Sequence, residues 1–265
     1  MSDPTMATTS TSAAQSFPEP SGRPMGQMER VLKMFYAPSQ TFADLRRSTS
    51  WWLPFVLMVV CTLAMSFAAG SKIGWQQIAD NNQKLMSQKQ QERMQEQMEK
   101  APPEQRAQTQ RMMVMVTKGI AYAFPVAILI ILVIFAAIYM AVMNFGLGAE
   151  IKFSEVFAVI MFSGVVRVIW AILVIIGIFT FIDPADFLMQ MPIATNPSLL
   201  FNINVADHRF LFTFLANFDI FALWATALTG IGFKTLSKKS MGACMAVAFG
   251  VLIAFALLTS LPSLM

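Results

Sequence analysis

The chain has 265 residues, 56% of them hydrophobic and 13% charged, with a net charge of +4 and a mean hydropathy of +0.57. A water-soluble domain of this length carries nearer a quarter charged residues, so the composition excludes an ordinary soluble fold. One histidine and two cysteines leave little material for a metal centre or a disulfide framework.

Residues 1–25 are rich in Ser, Thr, Ala and Pro without an apolar core, which predicts a disordered tail and no secretory signal peptide. In residues 26–50, Met28, Val31, Leu32 and Phe35 recur at helical spacing around Arg30 and Lys33, so an amphipathic basic helix is expected. Pro38 and Ser39 break it. Phe42 and Leu45 continue the apolar face, and Arg46 and Arg47 precede Trp51 and Trp52. Aromatic rings favour the membrane–water boundary and guanidiniums reach lipid phosphates. Arg30, Lys33, Arg46, Arg47, Trp51 and Trp52 are therefore candidate interfacial lipid contacts. A helix packed on the bundle's own end explains the same pattern equally well.

Five continuous apolar runs follow, at about residues 51–70, 119–145, 153–182, 210–233 and 241–261. Crossing a hydrocarbon core of about 30 Å takes roughly 20 helical residues, and each run suffices. Barrel strands are shorter and alternate in polarity, so residues 51–265 are expected to form an all-α integral membrane bundle of about five transmembrane helices. Cys61 and Cys244 lie inside these runs and read as small packing residues.

Between the first two runs, residues 71–118 form a polar arm rich in Gln, Met, Glu and Lys, divided by Pro102 and Pro103. Its stripe of Ile78, Leu85, Met94 and Met98 is too narrow for a core of its own. Pro103 suits a helical first turn with Glu104 beside it, and that helix is expected to run on into the second span. Residues 183–209 are interrupted by Pro184, Pro192 and Pro197 yet remain apolar, so they are expected to lie on the membrane surface or to cap the bundle.

Arg167 and Asp219 are charged groups well inside the third and fourth runs. At 1.5 Å per residue their depths agree within about 10 Å, so an intramembrane ion pair is expected, with Ser163 one turn before Arg167. Gly242, Ala246, Gly250 and Ala254 repeat every fourth residue and predict a helix-packing seam, within the bundle or in an oligomer. Lysines and arginines tie at nine on each side of the membrane. Those of the N-terminal side crowd beside span ends, which predicts a cytoplasmic N terminus and a C terminus on the opposite side.

Phe35-Tyr36-Ala37-Pro38-Ser39-Gln40-Thr41-Phe42, leading to Trp51-Trp52-Leu53-Pro54, resembles the opening of a Yip-one domain, the family of Ypt/Rab-interacting membrane proteins. Asp219-Ile220-Phe221-Ala222-Leu223-Trp224, then Gly230-Ile231-Gly232-Phe233 and the basic turn from Lys234 to Lys239, is similar to the fourth-to-fifth-span region of bacterial members. The resemblance covers about residues 28–261. It implies five spans, a cytoplasmic N terminus and, for a bacterial member, the cytoplasmic membrane. Eukaryotic members bind small GTPases and one another. The Gln/Met-rich arm and the short tail depart from that pattern and count against GTPase binding.

His208 sits between Asp207 and Arg209 at a span boundary and reads as an interfacial polar residue. The sequence holds no phosphate-binding loop, zinc-protease histidine pair or nucleophile elbow, so no catalytic, cofactor-binding or metal-binding residue is assigned. The expectation is a non-enzymatic membrane-organising or scaffold protein. Its partners would be the lipid bilayer and other membrane proteins or a second copy, with no nucleic acid. A small transporter or channel using Arg167 and Asp219 is the alternative.

Overall fold

Apolar runs become helices in lipid because every backbone N–H and C=O must be satisfied within its own segment. The computed structural model describes residues 23–86, 88–205 and 207–264, and among them every regular element is helical. The tail expected at 1–25 lies outside the described residues up to residue 22.

A short pair opens the fold, α1 (Gln27–Lys33) and α2 (Pro38–Asp44), with Pro38 in the first turn of α2, where its missing N–H costs nothing. The first span is α3 (Trp52–Lys72). The arm contains α4 (Trp75–Gln83) and α5 (Gln88–Lys100). From Pro103 a single 39-residue helix, α6 (Pro103–Ala141), carries the polar arm into the second span. It ends in a π-helical turn, Val142–Gly146.

The third run is divided into α7 (Phe153–Ser163) and α8 (Val166–Thr180) by a turn at Gly164 and Val165. The fourth is broken more sharply. A one-turn helix, α9 (Pro197–Leu200), precedes α10 (Arg209–Ala216), which meets α11 (Ile220–Leu236) at 51°. The fifth span is α12 (Met241–Ser260). Among the described residues, four helical segments are long and apolar enough to cross a membrane, α7 and α8 counting together as one, and five if the bent pair α10–α11 also counts as one span. The bundle is thus all-α, as the hydropathy requires.

α7 is the centre of the bundle. Eight consecutive residues, Val156 to Ser163, are buried, the pattern of a helix surrounded on all sides. Phe42, Leu45, Val31 and Met34 close one end of the core around it, with Tyr139 of α6, Met143 of the π-helical turn, Phe233 and Leu236 of α11 and Cys244 of α12. A second cluster closes the opposite end, where Met65, Ala69, Ile78, Val174, Ile178 and Phe187 meet. There Asn81 donates from Nδ2 to the carbonyls of Pro184 (2.8 Å) and Phe187 (2.9 Å). Residues 183–196 therefore cap the bundle, held by α4. Ile78 belongs to the bundle's core rather than to a free arm.

Candidate functional site

The α1–α2 hairpin folds over one end of the bundle because its two helices share a buried ion pair. Arg30 donates from Nε to Asp44 Oδ2 at 2.8 Å, and Nη2 approaches the same oxygen at 2.8 Å. Arg30 Nη1 reaches the carbonyl of Ser48 (3.0 Å), and the Thr41 hydroxyl closes back on the Arg30 carbonyl (3.2 Å). Both charged side chains are only 3% exposed. Arg30 was expected at lipid headgroups, and the structure corrects this: with Asp44 fourteen residues on, the guanidinium finds a carboxylate and a backbone acceptor inside the fold, which an isolated helix pattern does not reveal.

The other expected headgroup contacts divide. Lys33 pairs with Glu29 at 3.2 Å, and Arg47 lies 3.6 Å from Asp44. Arg46 donates from Nη2 to the carbonyl of Thr235 at the end of α11, tying the hairpin to the fourth span. Burial pulls the Arg46 guanidinium below its ordinary pKa, and the charge of Glu155 opposes that shift. Trp51 turns inward, edge-on to Phe157 (5.0 Å) and Phe55 (5.8 Å), whereas Trp52 is 54% exposed. Met28, Leu32 and Tyr36, each four residues apart, are 56%, 55% and 72% exposed. The hairpin thus has two apolar faces. One is sealed in the core, and the other points outward.

The structure also brings together basic segments far apart in sequence. Arg46 meets Thr235, so the turn carrying Lys234, Lys238 and Lys239 lies beside the end of α2. Lys239 Nζ comes to 3.8 Å from where a Cβ on Gly148 would stand, which joins that turn to the loop before Lys152. Gly148 has φ +60°, a left-handed conformation that glycine accepts without strain. Asn144 in the π-helical turn fixes the loop by two 2.9 Å bonds, donating to the Ile151 carbonyl and accepting from its N–H.

Arg167 and Asp219 are near one another in depth but, among the described residues, form no ion pair within 4.0 Å. The expectation of a direct pair is corrected by the break in the fourth span. Asp219 is the N-cap of α11, accepting from the N–H groups of Phe221 (2.8 Å) and Ala222 (3.3 Å), and its other oxygen takes the Thr195 hydroxyl. The carboxylate thus satisfies its own helix start while staying within electrostatic reach of Arg167. Arg167 lies on the helical row of α8 that also carries Ala171, Val174 and Ile178, all buried, while its own side chain reaches the surface of the isolated chain. The Ser163 hydroxyl is buried without a hydrogen-bond partner and does not support Arg167.

The seam on α12 faces outward. Gly242, Ala246, Gly250 and Ala254 are all exposed, and a Cβ on Gly242 or Gly250 would meet nothing within 4 Å. The seam therefore joins no helices within the chain, a correction of its use inside the bundle only, since contact with a second copy is not a property of the single chain, and the reason lies on the neighbouring helix. The close approach between the last two spans is made by Gly230 of α11, where an added Cβ would come within 3.3 Å of the Met245 Cα. Cys244, Val247 and Ala248 carry the buried face of α12.

Comparison with known families gives one finding: the model of the Yip1 domain matches residues 32–261. No curated protein and no solved structure matches the chain.

Proposed function

We propose that this chain, which belongs to the Yip1 domain family, is a non-enzymatic membrane protein that organises the bilayer and its neighbours through the hairpin end of its bundle. The observation that carries the reading is the locked α1–α2 hairpin, which presents Met28, Leu32 and Tyr36 outward while its opposite face is sealed in the core. A rigid amphipathic element at the end of a helical bundle is suited to lie in the headgroup layer and displace lipid there. The basic segments beside it favour the cytoplasmic side of a bacterial inner membrane. Electron cryo-microscopy of vesicles reconstituted with the full chain tests this. The parent should narrow the vesicles, and Met28→Ser/Leu32→Ser/Tyr36→Ser should restore the diameters of protein-free vesicles. Equal diameters with the parent and without protein would remove the reading.

A second reading rests on a separate observation. Arg167 lies inside the third span within electrostatic reach of Asp219, where the fourth span is broken by 51°. Intramembrane charges beside a broken helix are a feature of transport paths. Solute flux into proteoliposomes that disappears in Arg167→Gln would favour transport, and flux equal to that of empty vesicles would dismiss it.

A further inference from the structure

We infer that the hairpin end is a recognition surface for anionic phospholipid headgroups. The inference rests on the membrane-organising reading and names the lipid class that it acts on. The carrying observation is a convergence the linear sequence hides. Arg46 and Arg47 follow α2, Lys234, Lys238 and Lys239 form the α11–α12 turn, and Lys152 precedes α7. The Arg46–Thr235 bond and the approach of Lys239 to Gly148 bring all three segments to one end of the bundle.

Acidic residues do not balance them. Segments 23–51, 142–155 and 234–241 hold nine lysines and arginines against four aspartates and glutamates, whereas segments 71–118 and 181–216 at the opposite end hold nine against eight. The excess of five survives the burial of Arg30 with Asp44, because that pair removes one charge of each sign. The same end carries the outward apolar row of Met28, Leu32 and Tyr36, and the exposed Trp52 that starts α3. Apolar side chains that enter the acyl boundary next to cations at phosphate depth complement a leaflet rich in anionic phospholipid. An acidic protein segment would use the cations but would leave the apolar row without a function.

The test reconstitutes the full chain in phosphatidylcholine bilayers and adds spin-labelled phosphatidylglycerol or spin-labelled phosphatidylcholine, reading the fraction of each held at the protein. The parent should prefer the anionic label by about fivefold, the factor for one cation beside a bilayer surface. Lys234→Gln/Lys238→Gln/Lys239→Gln should bring the two labels towards equality. In 1 M salt, where the screening length is about 3 Å, the parent should do the same without any substitution, so a misfolded variant cannot produce the result by itself. Equal association of the two labels with the parent, or a preference that survives both the salt and the triple substitution, would overturn the inference. Vesicle narrowing measured on the same samples separates the two claims. Narrowing without lipid preference would leave the membrane-organising reading standing and this inference void, and preference without narrowing would do the reverse.

Discussion

Replacing Arg30 with alanine leaves the buried Asp44 carboxylate with only the partly exposed Arg47 at 3.6 Å as a cation, and the bonds that hold the Arg30 pair set the size of the effect. Arg30 makes two approaches to Asp44 Oδ2 at 2.8 Å and one bond to the Ser48 carbonyl at 3.0 Å, with 3% exposure on each charged side chain. Removing one partner of a buried ion pair costs about 3–5 kcal/mol when the remaining charge is left uncompensated; with Arg47 still at 3.6 Å, the loss should lie at the lower end, about 3 kcal/mol. The hairpin is anchored by this pair together with Phe42 and Leu45, so the loss should appear as local opening. At about 1.4 kcal/mol per factor of ten, amide exchange in Gln27–Lys33 should accelerate by roughly two orders of magnitude. Arg30→Lys keeps the charge but not the forked geometry that reaches Asp44 and Ser48 together, so it should fall between the two. Hydrogen exchange read by mass spectrometry in detergent is the assay. Unchanged exchange in α1, or equal loosening of α1 and the spans, would refute the assignment of Arg30 as the lock.

Glycine substitutions should separate outward from inward faces: Gly250→Leu should leave the melting temperature in detergent unchanged, whereas Gly232→Leu should lower it. A Cβ on Gly232 already stands 2.5 Å from Val159 and 3.1 Å from Phe42, and overpacking of this kind costs about 1–3 kcal/mol. In double-mutant cycles on thermal stability, Asp219→Ala should lose about 0.5–2 kcal/mol through its helix cap. It should couple more strongly to Thr195→Ala than to Arg167→Ala, since only Thr195 touches the carboxylate, and a larger coupling to Arg167 would restore the direct pair. A topology reporter after Met265 should lie away from the cytoplasm and one within residues 234–240 inside it; both on one side would contradict five crossings.

Hydropathy made the spans legible because crossing lipid is a demand on composition and length alone. α12 (Met241–Ser260) and the long α6 (Pro103–Ala141) lie close to where apolar continuity and Pro103 place them. Facing is another matter. In a helix apolar on every side, periodicity cannot tell a lipid-facing residue from a packed one, so the repeat from Gly242 to Ala254 reads as a seam although it points outward, and the glycines that admit close packing are Gly230 and Gly232. The break before α11 had a readable signal. Asn217-Phe218-Asp219 ahead of an apolar stretch is a helix start, but the surrounding apolar run conceals it. For Arg30 the sequence carries both partners without the distance between them. A buried arginine and an interfacial one share the same amphipathic pattern, and only the turn at Pro38, which returns Asp44 to α1, decides between them.

The depth of Leu32 in the bilayer tests the central claim most directly. A nitroxide on Leu32→Cys, in a Cys61→Ala/Cys244→Ala background reconstituted in vesicles, reports whether the outer face of α1 meets lipid or water. Leu32 is exposed in the isolated chain and lies on the same outward row as Met28. The label there should be accessible to oxygen and shielded from an aqueous nickel chelate, in contrast to the same label on Gln95→Cys of the exposed polar arm. Equal nickel access at the two positions would show that the hairpin stands in water and would contradict the membrane-organising role assigned to it.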